Sequence, residues 1–271
     1  MELNSNREYI IVGDIHGCID EFKLLLKKQN FRIDKRGYIT SAPKSIILIG
    51  DFIDKAKESK LKETIEFIYK NYLYLNKIEK RLYLILGNHE KRVYEYILDN
   101  QNLGYKKKSK EEERKYYNTS LLLKKEPKLK EKFLFLYKEC YIWLRYKYKS
   151  LTVTITHAPC KHKYLAKNDE VSKAKMVKCE SRSQNRGVSL DRLLSYLIEE
   201  AEDNNNIHIF GHLSQPNIRR YKNKICIDTA CIYGNTLSCA ILKEDKITFD
   251  SVHFLNLQKP ASQNYNLLFD F

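Results

Sequence analysis

The chain has no uninterrupted apolar stretch near the roughly 18 residues that read as a membrane span. A membrane partner is therefore not expected. Its start, Met1 to Glu8, is polar and carries no secretory signal pattern. Seven cysteines are an odd number, and no two form a Cys-x-x-Cys pair, so they read as reduced packing thiols of a cytoplasmic protein. Five prolines and nine glycines make no Pro- or Gly-rich linker, and no internal repeat is visible. One domain over residues 1–271 is expected, with a Lys/Glu-rich, helical insertion at about 100–132.

What is present is globular in balance: 43% hydrophobic and 31% charged residues exclude disorder of the whole chain, and 271 residues suffice for a sizeable core. A formal charge of +15 admits a nucleic acid or another polyanion as partner. The excess is mostly lysine, however, and lysine, asparagine, isoleucine and tyrosine are abundant together. An AT-rich coding sequence produces the same bias without any selected surface.

Apolar runs alternate with helical spacing through the first ninety residues. Strands are predicted at Tyr9–Val12, Ile46–Ile49 and Leu82–Leu86, with helices at Ile19–Gln29 and Leu61–Leu75 between them. Further strands are predicted at Leu151–Thr156, Ile207–Phe210, Lys224–Ile227, Leu237–Leu242 and Lys246–Phe254. Cys160 to Gly187 lacks periodicity and reads as a long loop, and a helix is expected from Ser189 to about Glu202. The fold class is α/β with α+β character.

Each of five runs ends in a loop bearing groups that bind metals: Gly13-Asp14-Ile15-His16-Gly17, Gly50-Asp51-Phe52-Ile53-Asp54, Gly87-Asn88-His89-Glu90, His157, and Gly211-His212. Asp14, His16, Asp51, Asn88, His157 and His212 offer six hard-oxygen and imidazole ligands. With one aspartate bridging, such a set holds two divalent ions, and N/O donors without thiolate suit Mn, Fe or Zn better than Ca. His89 is then available to protonate a leaving oxygen, and Asp54 to hydrogen-bond its imidazole. His162, His208 and His253 belong to no such loop and are expected to have structural roles.

These ordered loops, with Ile227-Asp228-Thr229-Ala230-Cys231-Ile232-Tyr233-Gly234 following the last histidine, resemble the calcineurin-like metallophosphoesterases over about Tyr9 to Leu242. Within that superfamily the chain is most similar to the phosphoprotein phosphatase branch, including its bacterial and phage-type serine/threonine phosphatases, and is related to the symmetrical diadenosine tetraphosphate hydrolases. The resemblance implies a four-layer αββα sandwich with two mixed β-sheets and a dinuclear site at the strand ends. It implies that Asp14 and His16 bind a first metal, Asp51 bridges, and Asn88, His157 and His212 bind a second. Manganese is the expected metal, with iron, zinc or nickel as alternatives. His89 would be general acid, oriented by Asp54, while a metal-bridging hydroxide attacks phosphorus directly.

Two positions depart from the branch pattern. Asp54-Lys55-Ala56 stands where Asp-Arg-Gly is common, and Leu86 stands where protein phosphatases tend to have Arg; Leu-Gly-Asn-His is closer to the diadenosine tetraphosphate hydrolases. Lysine supplies charge to a phosphate oxygen but not the bidentate fork of arginine. Substrate contacts are therefore expected from Lys55, Arg186 and Asn88, with Arg92 a weaker candidate. The function expected first is a serine/threonine protein phosphatase acting on phosphate monoesters. The alternatives are a dinucleoside polyphosphate hydrolase or an RNA-end phosphatase. A basic pseudophosphatase that only binds nucleic acid or a partner is the non-enzyme alternative.

Overall fold

A computed structural model describes residues 1–99, 118–179 and 201–255. Strand β1 (Tyr9–Val12) leads into α1 (Ile19–Lys28), and a small hairpin of β2 (Arg32–Ile33) and β3 (Ile39–Ser41) follows. Strand β4 (Ser45–Leu48), α2 (Glu58–Leu75), β5 (Leu82–Ile85) and α3 (Asn88–Asp99) continue the alternation. Helices α4 (Asn118–Lys125) and α5 (Pro127–Lys138) return the chain to β6 (Cys140–Tyr141) and the antiparallel pair β7 (Trp143–Tyr148) and β8 (Leu151–Thr156). The remaining elements are α6 (Glu170–Val177), β9 (Asn206–Phe210), β10 (Arg219–Tyr221), β11 (Lys224–Cys226), β12 (Thr236–Lys243) and β13 (Lys246–His253).

Two mixed sheets result. One has the order β13-β12-β1-β4-β5-β6 and the other β10-β11-β9-β8-β7. In the first, β1, β4, β5 and β6 run parallel, and the β12–β13 hairpin adds antiparallel to β1. The strands predicted at the end of the chain thus divide: β9 to β11 join β7 and β8 in the second sheet, and β12–β13 complete the first.

Why the first-sheet strands are continuous apolar runs is clear from their two faces. Tyr9, Ile11, Ile47, Ile49, Tyr83 and Ile85 pack between the sheets against Leu144, Tyr146, Val153, Ile155, Ile207 and Ile209. Their neighbours Ile10, Val12, Ile46, Leu48, Leu82 and Leu84 face the other way, onto Phe22, Leu25, Ile65, Ile68, Phe133 and Leu136 of α1, α2 and α5. With both faces covered, no polar alternation is needed. Each fully buried side chain of this kind contributes about 1.5–3 kcal/mol. Strand β8 differs: Leu151, Val153 and Ile155 point inward, while Thr152, Thr154 and Thr156 occupy the opposite face.

Outside the second sheet lies the short turn His162–Tyr164, onto which α6 packs. The layers are therefore helices, six-stranded sheet, five-stranded sheet and outer helical elements. Helix α6 falls where a long loop was expected. Its N-cap explains it: Asp169 accepts the Ser172 backbone N–H at 2.9 Å and the Ser172 hydroxyl at 2.7 Å, and Met176 and Val177 are buried. The helix expected from Ser189 lies outside the described residues except for Ala201 and Glu202, which are not helical. No helix among the described residues is long and apolar enough to cross a membrane.

Candidate active site

The carboxyl ends of β1, β4, β5, β8 and β9 open on the same edge of the sandwich, as α/β ligand sites do. The loops leaving them bend sharply. His16, Asp51, Asp54, Lys55 and His212 all have positive φ, from 43° to 68°, a left-handed conformation that non-glycine residues adopt at a cost of about 1–3 kcal/mol each. The preceding glycines make close approach feasible: a Cβ at Gly87 would overlap Asp51 Oδ1, and one at Gly211 would overlap Asp14 Oδ1.

The imidazoles are aimed by backbone carbonyls. His16 Nδ1 donates to Ile53 O at 2.8 Å and His157 Nδ1 donates to Ile49 O at 3.0 Å, which leaves each Nε2 as a lone-pair donor facing inward. Asp51 Oδ2 lies 3.6 Å from His16 Nε2, 3.4 Å from His157 Nε2 and 3.8 Å from His89 Nε2. Asn88 Oδ1 lies 2.9 Å from His157 Nε2 and 2.8 Å from His212 Nδ1. Two triads of atoms close enough to hold a metal ion share Asp51: one with His16 and His89, the other with His157 and His212. Asp14, expected beside His16, accepts the His212 backbone N–H through Oδ2 at 3.1 Å.

These groups fit divalent cations. His157 Nε2 and Asn88 Oδ1, both lone-pair atoms, face each other at 2.9 Å, and Asp14 Oδ1 is buried without a hydrogen-bond partner. Such an arrangement is unfavourable unless a cation sits between the donors. Burial opposes ionisation of Asp51, but the imidazoles of His157, His89 and His16 outweigh it and hold the carboxyl well below its usual value. Burial, with Asp228 and Asp51 nearby, pushes Asp14 well up. His16 is held well below the usual imidazole value by burial and by Lys55, as a neutral ligand requires.

The Gly-Asn-His-Glu loop does more than its first two side chains suggest. Glu90, fully buried, accepts the backbone N–H groups of Asp51 at 2.8 Å and Gly87 at 3.1 Å through one oxygen, and those of Phe52 at 2.9 Å and Ile53 at 3.3 Å through the other. It ties the Asp51 loop to the Asn88 loop. Burial and the Asp51 carboxylate push Glu90 up, against these four donors. His89 Nδ1 donates to Asp54 Oδ2 at 2.8 Å, and Arg92 donates to the same oxygen at 3.1 Å. Asp54 is lowered because its contacts to His89 and Arg92 outweigh its burial.

Sequence reasoning missed three neighbours, Thr119, Asn118 and Tyr233, and placed a fourth, Arg92, too low. Thr119, at the start of α4, accepts the Asp54 backbone N–H at 3.0 Å, and Asn118 donates to Ala56 O at 2.7 Å. Helix α4 thus braces the Asp54-Lys55-Ala56 loop, with Asp54 and Thr119 65 residues apart, a contact that no local pattern signals. Arg92, ranked last among the anion binders, lies on the Asp54–His89 pair; its spacing of three residues from His89 on a helix was the available cue. Tyr233 accepts a hydrogen bond from Lys55 Nζ at 2.9 Å, and the ammonium sits 5.0 Å over its ring. Burial lowers Lys55, but Tyr233, Asp51 and Asp228 raise it further, so it remains a cation.

Of the other expectations, Arg186 lies outside the described residues. His208 is buried against Thr156 at 2.8 Å, His162 is exposed in its turn, and His253 is exposed at the end of β13. None of the three joins the cluster.

Comparison with known proteins gives a consistent outcome. The family model described as calcineurin-like phosphoesterase matches residues 8–223. An asymmetrical bis(5'-nucleosyl)-tetraphosphatase, PrpE, from Oceanobacillus iheyensis is 28% identical over 232 residues, covering 84% of this chain and 86% of that protein. A symmetrical bis(5'-nucleosyl)-tetraphosphatase from Buchnera aphidicola is 35% identical over 97 residues, covering 35% of this chain and 29% of that protein. A crystal structure of a cold-active protein-tyrosine phosphatase from a psychrophilic Shewanella superposes with a TM-score of 0.59 at 16% identity, over 93% of this chain and 82% of the other. That last likeness concerns the fold alone.

Proposed function

The chain belongs to the calcineurin-like phosphoesterases, and on that premise we propose that it hydrolyses dinucleoside tetraphosphates asymmetrically, to a nucleoside triphosphate and a nucleoside monophosphate. The observation that carries this is the likeness to the Oceanobacillus asymmetrical enzyme across 84% of the chain. It favours a nucleotide substrate over the serine/threonine phosphatase that the motifs alone put first.

Asp14, His16, Asp51, Asn88, His157 and His212 would hold two divalent cations, with Asp51 shared. We take manganese as the first candidate. When bound, the cations supply Lewis acidity toward phosphate oxygens and lower the pKa of water. The chain's own groups supply the rest. His89, with Nδ1 held by Asp54, presents Nε2 to the leaving oxygen, and the Asp54 carboxylate supports an imidazolium that gives up its proton where the leaving oxygen needs one. Lys55 would neutralise charge on the polyphosphate, as would Arg186, and Asn88 would offer its side-chain amide. We read residues 1–271 as one catalytic domain, with the segment at about 100–132 as an insertion.

A second reading keeps one specific support. A serine or threonine alkoxide is a strong base that needs protonation as it leaves, and the Asp54–His89 pair at 2.8 Å is suited to that demand. A side-by-side assay with Mn²⁺ separates the two. Diadenosine tetraphosphate, a phosphothreonine peptide and a 5′-phosphate-ended RNA are compared by kcat/KM, with products resolved by ion-exchange chromatography. ATP and AMP in equal amounts support asymmetrical cleavage, two ADP a symmetrical one. Preference for the peptide or the RNA end overturns the nucleotide reading.

A further inference from the structure

Beside the catalytic loops lies a second cluster that the chemistry above does not use. The sulfurs of Cys18 and Cys231 and a carboxylate oxygen of Glu21 all lie within 4.8 Å of one another, and all three residues are buried. Neither cysteine is in a disulfide. They come from chain segments 213 residues apart, and each is joined directly to the site. Cys18 follows His16-Gly17 and occupies the N-cap position of α1. Cys231 opens the turn Cys231–Tyr233, whose last residue holds Lys55, and it lies three residues after Asp228.

We propose that Cys18 and Cys231 are an oxidant-sensitive dithiol whose closure to a disulfide lowers turnover. The co-reactant is a peroxide. One sulfur attacks hydrogen peroxide, becomes a sulfenic acid and releases one water. The second sulfur then displaces the sulfenic oxygen, which leaves as a second water with the remaining thiol proton. The balance is two thiols and one peroxide to one disulfide and two waters.

The consequence for turnover follows from geometry. A disulfide holds its sulfurs at about 2.05 Å, so closure draws the two segments toward each other. Neither can yield freely. Gly17 has φ +76°, a Cβ there would overlap Ala56 and crowd Leu61, and its N–H donates to Phe52 O at 3.2 Å. Ala230, beside Cys231, already has φ 59°. The displacement therefore passes to His16 on one side and to the Tyr233–Lys55 pair on the other. Displacements on the scale of an ångström at such groups lower rates by about tenfold or more.

The test treats the full-length, metal-loaded protein with hydrogen peroxide, alkylates remaining thiols under denaturing conditions and maps peptides by mass spectrometry. Hydrolysis of an aryl phosphate is followed in parallel. Expected are a linked Cys18–Cys231 peptide, a fall in turnover of about tenfold or more, recovery with dithiothreitol, and no such fall in Cys231→Ala. The linkage readout does not depend on which phosphate ester is the substrate. Four outcomes overturn the proposal: both thiols still alkylated after peroxide, linkage without loss of turnover, loss that persists in Cys231→Ala, or stoichiometric zinc that Cys231→Ala abolishes. The last would make the cluster a metal site.

Discussion

One oxygen of Asp51 accepts the backbone N–H of His89 at 3.0 Å, while the other lies 3.8 Å from the same residue's ring Nε2. A single carboxylate thus fixes where the His89 helix begins and meets its side chain at the site. Asp51→Asn keeps the shape but removes the charge that three imidazoles face. Turnover of an aryl phosphate with Mn²⁺ is expected to fall by about 10³ or more, with bound metal falling below two equivalents. Plasma-emission metal analysis beside steady-state kinetics checks it; full activity would rule out the shared-aspartate site.

The need for His89 should depend on the leaving group. A phosphate leaving oxygen, with a second pKa of about 6, departs as an anion, whereas an alkoxide does not. His89→Asn is expected to slow an alkyl phosphate by roughly 10²–10⁴, and diadenosine tetraphosphate by much less. Equal losses on both substrates would show that His89 works by holding metal or backbone, not by donating a proton.

Glu90→Gln replaces an acceptor of four amide protons with a group that has one acceptor oxygen and two added donors. At least one buried amide pair is then left unsatisfied, at about 1–3 kcal/mol. Urea unfolding of the metal-free protein should show that loss in the midpoint at unchanged slope. Metal affinity should fall too, since the Asp51 and Asn88 loops lose their tie.

Asp54 gives a pH signature in stability. Its folded pKa lies below the usual aspartate value of 3.8, because contacts with His89 and Arg92 outweigh burial. The contribution is therefore fully present above about pH 4 and is lost as pH falls below 3.8 through the folded value. Urea midpoints of the wild type and Asp54→Asn, measured from pH 7 to pH 3, should differ most at the upper end and converge at the lower. A gap that widens on acidification would contradict the ion pair.

Much of this arrangement is legible in the sequence because its signals are local. Tyr9–Val12 and Leu151–Thr156 form strands with the predicted bounds, and the apolar spacing of Leu61, Ile65, Ile68 and Tyr72 becomes the buried face of α2. Glycine before Asp51, Asn88 and His212 marks sharp turns at strand ends, which is where those side chains gather. What escaped reading depends on distant chain. Nothing near Thr119 says that its hydroxyl meets the Asp54 amide, and nothing near Tyr233 says that Lys55 lies over its ring. Glu90 closes a recognisable motif, yet its four partners belong mostly to another loop. Helix α6 was missed because eight residues with two buried apolar side chains carry too little periodicity to stand out.

The proposed ligand side chains come from both sheets: Asp14, His16, Asp51 and Asn88 from loops of the six-stranded sheet, His157 and His212 from loops of the five-stranded one. Cations held among them would rivet the two halves of the sandwich along their common edge. Loading and folding are then thermodynamically one problem, since an ion that binds only the folded chain raises its stability by RT ln(1 + [M]/Kd). Melting temperature becomes a metal electrode, and a chelator should act on this protein as a mild denaturant.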